Sequence, residues 1–198
     1  ISKITSFFTI KNVHMEIIET KIPGLYIVQP KVFGDHRGYF CETYNEKTFH
    51  SLGITNKFCQ DNLSKSSYGV IRGLHFQLHP HSQAKLVSAV VGTVYDVAVD
   101  IRVGSPTYGE WVGIELSEEN KTQFLIPQGF AHGFSVLSET AIFSYKCDNL
   151  YTPSAEGGIL YNDPTLQIDW KVPFEKQLVS DKDTKHPTLK DVKTNFVF

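Results

Sequence analysis

The chain has 198 residues, enough for one domain with a sizeable core and short for two. Apolar residues make up 41% and charged residues 20%, the formal net charge is −2, and the pI is near 6.5. That balance excludes a general affinity for nucleic acid or for an anionic membrane surface, because neither sign dominates. No run approaches the ~20 apolar residues that span a bilayer; the longest, Leu86 to Tyr95, stops at Asp96. The 3 cysteines, Cys41, Cys59 and Cys147, include no CxxC pair and read as reduced thiols of a cytoplasmic protein.

In chain order, the first segment carries a short apolar run, Phe7–Ile10, too short for a signal peptide and followed by no small-residue cleavage site. The only methionine is Met15. It reads as the natural start, with residues 1–14 an upstream or non-native extension and residues 15–198 a single domain. Strand patterns then dominate: Leu25–Phe33, Tyr39–Tyr44, Lys57–Asn62, Val70–Gln77, Lys85–Val91, Thr93–Arg102, Trp111–Leu116, Gln123–Ile126, His132–Val136, Ala141–Cys147 and Gln167–Trp170. They are short, rich in Val, Ile, Phe and Tyr, and separated by Gly, Pro, Asn or Ser. Helix is sparse, with Asn45–Leu52 ahead of Gly53 the best candidate and a short turn at Asp163–Leu166. The expected fold is mostly β, an antiparallel sandwich or jelly-roll barrel of cupin-like type with a few short helices. The polar C-terminal tail is expected to wrap the surface.

The strand Thr93–Arg102 separates Tyr95, Val97, Val99 and Ile101 from Val94, Asp96, Ala98, Asp100 and Arg102, because side chains alternate. The mixed face fits either a solvated sheet surface or the lining of a cavity. Two histidines sit in strands: His75 in RGLHFQ (72–77) and His132 in IPQGFAHGF (126–134). A buried strand histidine is more often a satisfied structural group than a catalyst. His79 and His81 flank Pro80 in a loop and read as surface residues. The Pro-x-Gly-x-x-His element at 127–132 is the second half of a cupin signature. Metal cupins pair it with His-x-His, whereas this chain has His75-Phe76-Gln77; neutral Gln77 is a poor ligand, so no metal site is expected.

The stretches FGDHRGYFCETY (33–44), FCQDNLSKSSYGVIRGLHFQ (58–77), AKLV (84–87), GTVYDVAVDIR (92–102), IPQGFAHGF (126–134), YKCDNLYTPSAEGGI (145–159), YND (161–163) and SDKD (180–183), in this order and spacing, resemble the dTDP-4-dehydrorhamnose 3,5-epimerase family. The resemblance runs from Glu16 to about Leu189. It implies a cytoplasmic, cofactor-independent epimerase acting on a dTDP-linked 4-keto-6-deoxy sugar. By that resemblance His75 is the base, Asp183 its carboxylate partner, Tyr145 the acid on the opposite face, and Lys85 the stabiliser of charge on the C4 oxygen.

The family pattern further implies that Arg37, Glu42, Gln60, Asp61 and Asn62 lie at nucleotide- or sugar-binding positions. Arg72, Asp96, His132, Glu156 and Lys182 join them. On a regular strand Gln60 and Asn62 share a face while Asp61 points away. Arg72 and His75, three apart, would also face opposite ways, unless Gly73 hosts a bulge. The resemblance implies a homodimer whose N-terminal strands cross to the partner's nucleotide pocket. The upstream 14 residues have no family counterpart, and Tyr161 stands where many members carry Trp. Alternatives are an epimerase of one centre only, a metal-dependent cupin enzyme, and a sugar-binding jelly roll without catalysis.

Overall fold

The computed structural model describes residues 9–11 and 14–198. Fifteen strands are described: β1 (Thr9–Lys11), β2 (Met15–Glu19), β3 (Tyr26–Pro30), β4 (Val32–Asp35), β5 (Gly38–Cys41), β6 (Gln60–Ser67), β7 (Val70–Gln77), β8 (Lys85–Val91), β9 (Thr93–Asp100), β10 (Trp111–Ser117), β11 (Gln123–Ile126), β12 (Phe130–Val136), β13 (Thr140–Cys147), β14 (Glu156–Gly158) and β15 (Leu178–Val179). A helix, α1 (Glu46–Ser51), follows β5. Its N-cap is Asn45, whose side-chain oxygen accepts from the Thr48 N–H, as a helix start requires.

One sheet runs β1-β2-β3-β11-β8-β13-β6 and the other β10-β9-β12-β7-β14, with β15 parallel to β7. The remaining pairings are antiparallel, giving the double-sheet jelly roll expected from short strands with turn residues between them. Alternation fills the space between the sheets with Val87, Ala89, Val94, Ala98, Phe130, Phe134, Val136 and Phe143. At one end this filling gives way to polar residues and a cavity.

Both outer faces are covered too. Helix α1 buries Phe49 against Leu86, Leu125 and Val28 on the first sheet. The segment after β14 packs Ile159, Tyr161, Leu166, Trp170, Leu189 and Phe196 over Val97 and Val99 of β9, the adjoining Ile101 and Ala131 of β12. The polar tail therefore does wrap the surface, fastened by buried apolar residues. It is also pinned by Asp163, whose carboxylate accepts from the Thr165, Leu166 and Leu189 N–H groups.

Several expected elements shift. Leu25–Phe33 is not one strand: the chain leaves the sheet after Pro30, which has no N–H to continue a ladder, and forms the separate β4–β5 hairpin. Tyr39–Tyr44 shortens to β5. Lys57–Asn62 becomes β6, starting at Gln60 and continuing through the polar run to Ser67. Gln167–Trp170 forms no strand; Gln167 takes φ +48°, and the Trp170 indole drops into the core and donates to the Tyr161 carbonyl at 2.8 Å. Residues 1–14, expected as an extension, lie largely outside the described residues; Thr9–Lys11 pairs with β2.

Candidate active site

The cavity between the sheets has a volume of about 690 Å³, and an adjoining lobe of about 270 Å³ shares His75, Lys85 and Tyr145 with it. This is the size range of small-molecule sites. The first sheet contributes Ser64 of β6, Lys85 of β8, and Phe143 and Tyr145 of β13. From the second sheet come Arg72 and His75 of β7 and His132 and Phe134 of β12. The segment around β15 closes the side with Ser180, Lys182 and Asp183. His75 and Tyr145 thus stand on opposite walls.

A local irregularity makes this possible. Pairing of β7 with β12 places His75 opposite His132 and Arg72 opposite Phe134, so three steps on β7 match two on β12. This is a bulge, and it lies where Gly73 takes φ +141°. It turns Leu74 outward into the core under the C-terminal segment and brings both Arg72 and His75 to the cavity. Gly133 faces the bulge so closely that a Cβ there would meet the Arg72 carbonyl oxygen at 2.7 Å.

His75 Nε2 lies 2.7 Å from Asp183 Oδ1. Asp183 is buried, which alone would raise its pKa. The hydrogen bond and charge of His75, together with the Gly73 N–H donating to Oδ2 at 3.2 Å, carry it below the ordinary carboxylate value instead. An ionised Asp183 can only accept, so His75 Nε2 carries the proton and Nδ1 holds the free lone pair. Across the cavity, burial holds the Tyr145 phenol above its usual pKa, so it keeps its proton near neutrality. The Lys85 ammonium lies 6.0 Å from the Tyr145 ring centroid. Desolvation lowers its pKa, against the opposing pull of Cys147, Asp96 and Glu156.

A second histidine–carboxylate pair lies deeper. His132 Nε2 is 3.0 Å from Asp96 Oδ2, and both residues are buried. Burial pushes the Asp96 carboxyl up and the His132 imidazole down, each toward its uncharged form. The mixed face of β9 therefore splits: Asp96 joins this pair, while Asp100 is bound by Arg102, Ser105 and Thr107 in a structural network. Gln77, in the place of a second metal-cupin histidine, is tied to the loops through the His81 carbonyl and the Thr152 N–H.

The adjoining lobe holds Gln60, Asn62 and Glu156. Glu156 bonds Lys182 at 2.6 Å and accepts from the Tyr151 hydroxyl at 3.1 Å. Burial would raise its pKa, but those partners hold it below the ordinary value. Arg72 also donates through Nε to Ser66 Oγ.

Three expected site residues lie elsewhere. Asp61 points to the outer face of β6, as alternation requires, and pairs with Lys146 at 2.9 Å. Arg37 is exposed on the β4–β5 hairpin, paired with Asp35 at 2.6 Å. Glu42 lies before α1 and accepts from Asn45. His79 and His81 stay outside the cavity, bonded to Ser82 and Thr152. Sequence reasoning passed over Ser64, Tyr151 and Ser180. Ser64 shares the face of Gln60 and Asn62 and was open to the same alternation argument. Tyr151 and Ser180 lie in loops with no periodicity to mark them.

A jelly roll whose cavity sets a carboxylate-held imidazole opposite a protonated phenol, with a lysine on the phenol's wall, defines an acid–base enzyme on a cupin-like scaffold. Residues 19–191 match the family described as dTDP-4-dehydrorhamnose 3,5-epimerase. The chain belongs to that family. It is 55% identical over 170 residues to a dTDP-4-dehydrorhamnose 3,5-epimerase of Shigella flexneri, covering 85% of this chain and 93% of the relative. The crystal structure of the Elizabethkingia anophelis dTDP-4-dehydrorhamnose 3,5-epimerase is similar at TM-score 0.86 and 56% identity, covering 90% of this chain and 98% of that one. A Legionella pneumophila dTDP-6-deoxy-D-glucose-3,5-epimerase, solved in complex with dTDP-4-keto-L-rhamnose, is similar at TM-score 0.87 and 52% identity, covering 91% and 95%.

Proposed function

We propose that this chain is a dTDP-4-dehydrorhamnose 3,5-epimerase. It converts dTDP-4-dehydro-6-deoxy-D-glucose to dTDP-4-dehydro-L-rhamnose, a precursor for cell-surface polysaccharide, in the cytoplasm and without a cofactor. The observation that carries the reading is the pairing of His75, held by the ionised Asp183, with Tyr145 on the facing sheet.

The chemistry follows from the substrate. C3 and C5 flank the C4 ketone, so loss of either proton gives an enolate. His75 takes the proton on Nδ1, and Asp183 stabilises the resulting imidazolium without moving. Lys85 stabilises the negative charge on the C4 oxygen, a contribution of roughly 3–4 kcal/mol for comparable donors. Tyr145 delivers its phenolic proton to the opposite face, and the carbon is inverted. Phenolate and imidazolium then return to their starting states by exchange with water.

Arg72 and Lys182 supply positive charge for the diphosphate, Arg72 through a planar fork suited to it. Gln60, Asn62, His132 and Glu156 line the remaining walls for sugar and nucleotide, with Asp96 buried behind His132. Arg37 and Glu42 serve a partner subunit's pocket. The exposed Phe33, Tyr39 and Phe40 beside Arg37 support such an exchange, because an isolated apolar hairpin costs hydration.

Incubation with dTDP-4-keto-6-deoxyglucose in deuterated water, trapped by a 4-ketoreductase, tests the reading. Deuterium and inversion at both C3 and C5 are expected. Label and inversion at one centre alone would replace the reading with a single-centre epimerase, and no label at either carbon would overturn it.

A further inference from the structure

Behind the dyad stands a third residue that the proposed reaction does not use. His186 follows the turn that Asp183 opens, and its Nε2 lies 3.6 Å from Asp183 Oδ1, the oxygen that His75 already engages at 2.7 Å. At 3.6 Å this is not a hydrogen bond. The His186 Nε2 atom is buried and has no partner among the described residues. A buried polar atom left unpaired calls for an explanation. The ring is also fixed in place: a Cβ on Gly158 would come within 2.5 Å of that same nitrogen, so the backbone of β14 leaves room for it. The two imidazoles meet edge to face with centroids 5.7 Å apart.

The ligand atoms of His75, Asp183 and His186 all lie within 4.8 Å of one another. Zinc bonds of about 2.0–2.1 Å in tetrahedral geometry set donor atoms about 3.3–3.4 Å apart. The Asp183–His186 separation is already close to that, and the His75–Asp183 contact needs to open by well under an ångström. We propose that His75, Asp183 and His186 form a zinc-binding site that switches the enzyme off.

Nearby Lys182 opposes a cation, but Glu156 pairs with it at 2.6 Å and offsets that charge.

Zinc at His75 Nε2 displaces the proton there, and the neutral ring then carries its one proton on Nδ1. No net proton is released, yet the lone pair that serves as base is gone. This inhibitory consequence rests on His75 being the base, whereas metal binding does not. Zinc therefore lowers turnover while leaving the nucleotide pocket intact.

Titration of the metal-free protein with Co²⁺, without substrate, reads the site directly. The expected result is the visible absorption of a four-coordinate ion, displaced by Zn²⁺, with zinc abolishing deuterium exchange into substrate. His186→Phe keeps a flat aromatic ring, somewhat larger than imidazole, but offers no nitrogen. It should weaken metal binding at least about tenfold and protect exchange from zinc, with metal-free exchange as in wild type. Absent cobalt bands, or equal zinc sensitivity of wild type and His186→Phe, would overturn the site. Tight, His186-dependent binding that leaves exchange untouched would overturn the switch alone; failure of the epimerase reading would appear separately, as no exchange in metal-free protein.

Discussion

The charge on Asp183 decides which nitrogen of His75 is free, and it has a consequence for stability. Its pKa is lowered in the fold, mainly by His75 acting against burial. The linked stability is therefore fully present above the unfolded carboxylate value near ~3.9 and is lost as pH falls through the lower folded value. Asp183→Asn should cost about 1–3 kcal/mol at pH 7, with the gap to wild type narrowing below pH ~4. Denaturant midpoints measured across that range check it; a gap independent of pH would mean the carboxylate is not ionised in the fold. At the same scale, burial pushes the Cys147 thiol up to about 11, so this cysteine beside Lys85 is a packing residue with no thiolate chemistry near neutrality.

At the scale of elements, the bulge in β7 is what brings Arg72 and His75 to one face. It depends on close backbone approach between Gly73 and Gly133. Gly133→Ala would force its Cβ against the Arg72 carbonyl, and the strands would have to part. A loss of about 2 kcal/mol or more is expected, together with a loss of exchange activity larger than unfolding explains; calorimetry with activity at matched folded fraction measures both. The core strands β7, β8 and β11 were legible because their apolar residues and flanking turn residues agree. Strand β6 was only half legible, since its inward residues are polar: Gln60, Asn62 and Ser64 face the cavity and Ser66 accepts from Arg72. The strands β14 and β15 were not legible at all: three and two residues long, they are fixed by β7 and not by their own pattern. His75, Lys85, Tyr145 and Asp183 were found through the family resemblance. The pairing of the distant Asp183 with His75 is long-range in sequence, and no local rule forecasts it.

At the scale of the molecule, the described residues of the two sheets enclose a cavity, and the C-terminal segment closes its side by bringing Asp183 to His75. Among the described residues no helix is long and apolar enough to cross a membrane. The β4–β5 hairpin stands apart from both sheets and exposes Phe40 at 67%. If it completes a partner's pocket, Phe40→Asp should yield monomers by sedimentation and weaken dTDP binding about tenfold or more, with the fold retained. A monomeric wild-type protein that binds dTDP fully would contradict the exchange.

In the proposed reaction an imidazole removes and a phenol returns protons on opposite faces of one sugar ring. Deuterium incorporation by His75→Ala and Tyr145→Phe, resolved by carbon and by configuration, tests it most directly. His75→Ala should lose exchange at C3 and C5 by about 10²–10⁴-fold. Tyr145→Phe should retain some exchange, mostly without inversion. Wild-type inversion by Tyr145→Phe, or undiminished exchange by His75→Ala, would contradict it.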